Sequence, residues 1–265
     1  MRESTQMISI VTVARNHEAG LIRTLASVEK LEEISTELIL VIGPSEDKTL
    51  EVAEKFCTKH PHNCQLIVQK SSGIYSAMNE GLQNARGESI IFMNAGDEFV
   101  GKASIENLQQ SLFASELGLA IGGYCLTNLE GRNYTYAKTK LSSLGFAFSR
   151  HGGCHQSILY RTAALRYFEG YSEDLRIVSD FEVTLKIIRK YGGIRDSSVV
   201  SIIEPGGGAD KEIFFVHRAK HKVRKQIFNS RLINILSLCW TVLAGAKVAF
   251  SKTLKFSRTG SRTLT

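Results

Sequence analysis

Short apolar runs alternate with helix-period segments over the first ninety residues. Met7 to Val13 (MISIVTV) reads as a buried strand and Gly20 to Leu31 as an amphipathic helix. Leu38 to Ile42 (LILVI) is a second strand. A helix opened by Ser45 follows it, with Asp47 and Glu51 near the start, where acids suit the positive end of the helix dipole. Gln65 to Val68 is a third strand. Ile74, Ala77, Met78, Gly81, Leu82 and Ala85 then fall on one continuous helical face, which Gly87 ends. Ser89 to Met93 is a buried strand running into Asn94-Ala95-Gly96-Asp97. This βαβαβαβ order predicts a largely parallel sheet flanked by helices, with the ligand site beyond the C-terminal ends of the strands.

The order loosens after Asp97. The pattern predicts a helix near Ser104 to Ser115 and strands near Leu119 to Leu126, Tyr134 to Tyr136 and Ser157 to Arg161. Ser179 to Tyr191 reads as a helix with Asp180 at its start, and Pro205-Gly206-Gly207-Gly208 as a loop, best explained as a lid. Leu232 to Ala246 is an uncharged stretch of fifteen residues between Arg231 and Lys247, short for a membrane span and suited to an in-plane or re-entrant helix with Trp240 at headgroup level, or else to a buried C-terminal helix packed on the body.

Charge divides the chain where the pattern does. No Asp or Glu follows Glu212: residues 1–212 carry 22 Lys and Arg against 26 acids, and residues 213–265 carry 11 Lys and Arg and no acid. The expected organisation is therefore a catalytic-type α/β domain over 1–212 and a basic, partly apolar tail over 213–265. Such a tail suits an anionic membrane surface. Nucleic acid is the poorer partner, because aromatics are not interleaved with the basic residues. Five cysteines without a repeated spacing predict reduced thiols, and the N-terminus shows no cleavable leader, so the body is expected in the cytoplasm, peripheral on the inner face of the cell membrane. Cys57, His60, His62 and Cys64 lack the paired geometry of a zinc site and read as a helix-to-strand loop.

Two carboxylates carry candidate chemistry. Asp97, at the mouth of the sheet, can offer a hard oxygen to a divalent cation bridging a diphosphate, or can simply form a turn. Asp180 can act as a general base toward an acceptor hydroxyl, or cap a helix. One site for a leaving diphosphate and another for the nucleophile are what sugar transfer needs.

The segments Ile10-Val11-Thr12-Val13-Ala14-Arg15-Asn16, Gly43-Pro44-Ser45-Glu46-Asp47-Lys48-Thr49, Gly73-Ile74-Tyr75-Ser76-Ala77-Met78-Asn79-Glu80-Gly81 and Phe92-Met93-Asn94-Ala95-Gly96-Asp97 resemble, in order and spacing, motifs of family 2 glycosyltransferases of bacterial polysaccharide assembly. His155-Gln156-Ser157 and Ser179-Asp180-Phe181-Glu182 resemble that family's later His-Gln element and catalytic acid, so the likeness spans residues 7 to 210. It implies a GT-A fold, a nucleotide-diphosphate sugar donor with a UDP-sugar expected, Mg or Mn, and an inverting single displacement. Carried over by motif, donor binding falls to Thr12, Asn16, Asp47, Gly73, Asn79, Asn94, Asp97 and His155, metal binding to Asp97, and base catalysis to Asp180. The acceptor expected is a lipid-linked or saccharide hydroxyl in surface-polysaccharide synthesis.

The chain departs from the family pattern at Ile42, Gly43, Ser71 and Ser76, where relatives carry acids, and in the reduced Asn94-Ala95-Gly96-Asp97. Fewer carboxylates imply weaker metal binding or a changed nucleotide preference. They also motivate a rival reading, a membrane-bound scaffold derived from an impaired transferase. A sugar nucleotidyltransferase is the other rival, but it would want a Gly-rich loop after the first strand, and Ala14-Arg15-Asn16-His17 is not one.

Overall fold

The computed structural model describes residues 6–69, 73–114, 116–127, 133–149, 153–204 and 213–242. The predicted lid at 205–208, Ser71 and the basic flank beyond 242 lie outside them. By their contacts the residues form two compact units, 1–175 with 183–205, and 176–182 with 206–265.

In the first unit β1 (Ile8–Ala14), β2 (Thr36–Ile42), β3 (Cys64–Val68) and β4 (Ser89–Phe92) pair in parallel in the order β3-β2-β1-β4. All seven residues of β1 are buried, which is why the strand reads as an unbroken apolar run rather than an alternating one. Between these strands run α1 (Glu18–Glu29), α2 (Thr49–Lys59) and α3 (Ile74–Asn84), matching the predicted crossovers. α1 buries Leu21, Thr24, Leu25 and Val28, one stripe at helical spacing. α3 buries Ala77, Met78, Gly81 and Leu82. Gly81 lets α3 pack closely on the sheet, since a Cβ there would stand 2.3 Å from Val11 Cγ1.

The other half of the sheet is mixed. β5 (Glu98–Phe99), α4 (Lys102–Phe113), β6 (Leu119–Leu126), β7 (Asn133–Tyr134), β8 (Thr139–Leu141), α5 (Ser143–Ala147), β9 (Ile158–Arg161), α6 (Thr162–Tyr167), α7 (Ser179–Tyr191) and β10 (Gly193–Ile203) follow in chain order. β9 joins the halves by pairing antiparallel to both β4 and β6, while β10 runs parallel to β6. β10 escaped the sequence pattern because its register against β6 shifts twice, between Arg195 and Val199 and between Val199 and Ser201, which breaks the alternation of period two. Asp196 is buried in this irregular stretch and accepts from Ser111 Oγ at 2.6 Å and Ser198 N at 2.8 Å.

Cys57 and Cys64 form a disulfide with Cα atoms 5.0 Å apart, which corrects the expectation of five free thiols. The α2–β3 connection brings them together, a closeness the bare spacing did not state. Among the described residues Cys125, Cys154 and Cys239 are free.

In the second unit α8 (Ile213–Phe228) is followed by a helical segment, 231–242. Ser237 and Thr241 face α8: Ser237 Oγ meets His221 Nδ1 at 2.9 Å and accepts from Arg224 Nη1 at 3.3 Å, and Thr241 Oγ1 reaches the His217 carbonyl at 3.5 Å. The apolar residues point the other way, with Leu232 at 67%, Ile235 at 61% and Val242 at 62% exposure. The segment is thus inverted relative to a core helix, polar side in and apolar side out. Among the described residues no helix is long and apolar enough to cross a membrane.

Candidate functional site

From β1 the chain moves outward through β2 to β3, then returns to the far side of β1 as β4. The strand order reverses between β1 and β4, and a ligand crevice in an open α/β sheet opens beyond the C-terminal ends of such a pair. The segments there are Arg15-Asn16-His17 after β1 and Met93 to Asp97 after β4.

Hydrogen bonds knit the loops after β1 and β2 together. Asn16, at φ +49°, donates its N–H to Ser45 Oγ at 3.0 Å and accepts the Glu46 N–H at 2.7 Å. Asp47 accepts the N–H groups of Glu18 and Thr49, each at 3.0 Å, and His17 N donates to Thr49 Oγ1 at 2.9 Å. The hydroxyl of Thr49, helped by the backbone donors and opposed by desolvation, holds the Asp47 carboxyl below the usual range. Asn16 and Asp47 therefore brace the loops beyond β1 and β2.

Gly73, at φ +138°, caps α3 at a backbone conformation that favours glycine. Asn79 turns toward the chain after α6: its Nδ2 donates to the Tyr171 carbonyl and its Oδ1 accepts the Tyr171 N–H, both at 2.8 Å. This clamp sets Tyr171 between Tyr75, stacked at 5.6 Å, and Phe92, edge-on at 5.1 Å.

Asp97 is 5% exposed and faces inward. Its Oδ2 accepts Gln156 Nε2 at 2.6 Å and its Oδ1 accepts Glu204 N at 2.9 Å. Burial pushes this carboxyl up to about 6, aided by the Glu204 charge and opposed by the two hydrogen bonds and by His17. Gln156 Oε1 in turn accepts from the Cys154 thiol at 2.6 Å. Asn94 Nδ2 meets His155 Nε2 at 3.1 Å, so the His-Gln element and the β4 loop lie together. Beside them Glu204 Oε2 takes Arg23 Nη2 at 2.8 Å and lies 3.6 Å from His17 Nε2. Gly96 is held to glycine by φ +101° and by that carboxylate, 2.3 Å from where a Cβ would stand.

These residues do not fit a hard-cation site. A hard cation needs several oxygens converging on one point, whereas Asp97 is buried and turned toward Gln156 and the Glu204 N–H, with no other carboxylate converging on it among the described residues. No group of three His, Cys, Asp or Glu side chains among the described residues is arranged to hold a metal.

Buried polar atoms without a partner among the described residues occur in several places, Ser89 Oγ, Ser179 Oγ and Arg195 Nε among them, and towards the C-terminal ends of β1 and β4 they are three: Thr12 Oγ1, His17 Nδ1 and Asn94 Oδ1. Leaving such an atom unpaired costs about 1–3 kcal/mol, and all three belong to β1, β4 or the loops that follow them. Thr12 and Asn94 lie in motif segments and are legible in the sequence, whereas His17, Arg23 and Glu204 carry no motif of their own.

Asp180 lies in the second unit, on the first turn of α7, beside the buried Phe181.

A parallel half-sheet whose strand order reverses between β1 and β4, continued by a mixed half that carries a His-Gln turn, is the arrangement of the GT-A fold. Residues 9–175 match the family model "Glycosyl transferase family 2", and the chain belongs to that family of glycosyltransferases. A PGL/p-HBAD biosynthesis glycosyltransferase of Mycobacterium bovis is 25% identical over 181 residues, 68% of this chain and 69% of the relative. Among solved structures, S. aureus TarS 1–349 superposes with TM-score 0.68 at 18% identity, covering 94% of this chain and 74% of that one. TarS 1–349 in complex with UDP-GlcNAc gives TM-score 0.67 at 17% identity over 87% and 69% of the two chains. The mannosyltransferase PcManGT from Pyrobaculum calidifontis, in complex with GDP-Man and Mn2+, gives 0.64 at 14% identity over 96% and 79%.

Proposed function

We propose that this glycosyltransferase moves one sugar, with inversion, from a nucleotide-diphosphate donor, a UDP-sugar, to a hydroxyl of a lipid-linked or saccharide acceptor in surface-polysaccharide or glycolipid synthesis. The observation that carries this reading is the set of unpaired buried atoms of Thr12, His17 and Asn94 at the β1/β4 crevice, polar groups kept without a protein partner where a nucleotide ligand would supply one. The UDP-GlcNAc complex of TarS and the pathway name of the M. bovis relative support the choice of donor and of acceptor class.

Asp180 is assigned the general base. The acceptor O–H proton passes to its carboxylate, the freed oxygen bonds to the sugar's anomeric carbon, and the anomeric carbon–oxygen bond to the diphosphate breaks, releasing the nucleoside diphosphate. The braced loops at Asn16 and Asp47, the Asn79 clamp and the Asn94–His155 pair hold the donor side rigid, so that little reorganisation accompanies transfer. PcManGT was solved with Mn2+, whereas the described residues here form no group of three His, Cys, Asp or Glu for a metal.

The inverted helix 231–242 gives the chain a place to work. Its outward apolar stripe and the exposed Arg218, Lys222, Lys225 and Arg231 suit insertion at an anionic membrane surface, the cytoplasmic face being the one that lipid-linked acceptors would share.

The test is transfer from a panel of nucleotide sugars to a lipid-linked acceptor by the wild type and by Asp180→Asn. Loss of a general base typically costs ~100-fold or more, so Asp180→Asn is expected to lose transfer at that level while donor affinity stays nearly unchanged. Turnover above about a tenth of wild type would remove Asp180 from the role.

A further inference from the structure

Three charged side chains meet beside Asp97. His17 follows β1, Arg23 lies on α1 and Glu204 follows β10. β9 runs antiparallel to β4 and to β6, and β10 runs parallel to β6, so β10 ends at the same end of the sheet as β1 and β4. There Glu204 Oε2 receives Arg23 Nη2 at 2.8 Å and lies 3.6 Å from His17 Nε2, two nitrogens converging on one oxygen. The side chains are 41% (His17), 43% (Arg23) and 42% (Glu204) exposed, so a ligand from solvent can reach that oxygen's place.

Two glycines make room for the cluster. A Cβ on Gly20 would stand 1.7 Å from His17 Nδ1, and one on Gly96 would stand 2.3 Å from Glu204 Oε2 and 3.0 Å from His17 Cε1. The His17 ring thereby lies against the first turn of α1, with Nδ1 buried and without a partner among the described residues and Nε2 toward the carboxylate. Arg23 is steadied on its other side, its Nε 3.8 Å from Glu98 Oε1 and its Nη1 donating to the Ala19 carbonyl at 3.4 Å. Backbone donors are already engaged, since Asp97 takes the Glu204 N–H and Asp47 takes the Glu18 N–H at the start of α1. What the cluster offers an anion is its two side-chain nitrogens.

We propose that Arg23 and His17 are the seat of the donor's diphosphate and that Glu204 is its internal occupant, displaced when the donor binds. This rests on the reading of the protein as a nucleotide-sugar transferase. The carboxylates among the described residues gather no hard-cation site, so the diphosphate charge falls to side chains, and a planar guanidinium suits phosphate oxygens two at a time. Exposed ion pairs hold weakly, and a diphosphate carries more charge than a carboxylate, so the exchange favours the donor. A mere brace between α1 and β10 would make Arg23 and Glu204 equivalent partners. A seat with an occupant gives them opposite effects on binding.

The experiment measures the affinity of the full chain for UDP, inorganic pyrophosphate and uridine by calorimetry in a chelator, with melting temperatures, for wild type, Arg23→Gln, Arg23→Lys, His17→Gln and Glu204→Gln. Arg23→Gln should weaken UDP and pyrophosphate ~10-fold or more, as loss of a hydrogen bond to a charged group does, and leave uridine unchanged. His17→Gln should weaken both by less, ~2–10-fold. Glu204→Gln should tighten both ~2–5-fold, the worth of an exposed ion pair that no longer competes. A Glu204→Gln that weakens UDP or leaves it unchanged, or an Arg23→Gln of wild-type affinity, would overturn the seat. So would a wild type that binds neither UDP nor pyrophosphate in chelator. Should Arg23→Gln fail to fold, Arg23→Lys carries the test: it keeps the charge and loses the fork, and UDP affinity equal to wild type would overturn the proposal. Sugar transfer assayed alongside separates the two readings. A wild type that transfers sugar while its UDP affinity ignores these substitutions overturns the seat alone, whereas one that binds pyrophosphate through Arg23 but transfers from no nucleotide sugar overturns the reading of function and leaves an anion seat.

Discussion

At the scale of single residues, Asp97 holds a buried carboxyl whose proton is lost only near pH 6, against an ordinary value of 3.8. In that window the native state binds more protons than the unfolded chain, so stability falls as pH rises from about 4 to 6 and levels off above. Asp97→Asn removes the ionisation and keeps an acceptor for the Glu204 N–H, while its amide can meet Gln156 only if that side chain flips and gives up the Cys154 bond. Its denaturation curves should be nearly flat across that window, and it should be more stable than wild type at pH 7 by up to ~3 kcal/mol, the upper limit set by a shift of about two units. A wild type whose stability rises through the same window would refute this. Because both Asp97 oxygens are already bonded, donor affinity in Asp97→Ala should change by the same factor with Mn2+ as with a chelator, which calorimetry would measure. The sequence put Asp97 at the crevice but could not say which way its carboxylate turned; the partner that decides this, Gln156, is 59 positions away.

At the scale of elements, the approach of α3 to β1 depends on one missing side chain. A Cβ at Gly81 would lie 2.3 Å from Val11 Cγ1, and Val11 is fully buried in the sheet. Gly81→Ala should therefore destabilise by about 1–3 kcal/mol, as overpacking does, lowering Tm by roughly 2–4 °C per kcal/mol. Val11→Ala, harmful alone, should be less harmful in the Gly81→Ala background, and strict additivity in thermal melts would argue against the clash. The period of α3 was legible because it is local: apolar positions recur at the pitch of the helix whatever lies above them. β10 was not, since two register shifts and the buried Asp196 remove the alternation by which a strand is read. β5 and β7 are two residues each, too short to carry a period.

At the scale of the whole molecule, charge and an inverted helix predict where the protein works. Co-sedimentation with anionic vesicles should weaken, without vanishing, as salt rises from about 0.1 M to 1 M and the Debye length falls from ~10 Å to ~3 Å. The remainder should depend on the apolar stripe. Ile235→Asp and Leu236→Asp are expected to abolish it while Tm and activity on a water-soluble acceptor stay as in wild type, because both side chains are exposed. Binding that ignores these substitutions, or variants that precipitate, would sink the membrane face. Deletion of residues 213–265 should remove vesicle binding, because the basic α8 and the apolar stripe of 231–242 both lie there.

The sequence by itself determined the parallel half of the sheet, the three crossover helices and the split of charge at Glu212, since each is a local pattern or a count. Tertiary structure alone decided what the polar residues do: that Asn79 clamps Tyr171, that Asp97 turns inward to Gln156, that Cys57 and Cys64 join, and that Lys220 of a basic helix seats on Phe181 beside Asp180. The physical reason is directional. Periodicity states which face of an element is apolar, but a hydrogen bond, an ion pair or a cation on a ring requires particular atoms to meet, and for the crevice and the Asp180 unit the chain brings those atoms together over tens of residues.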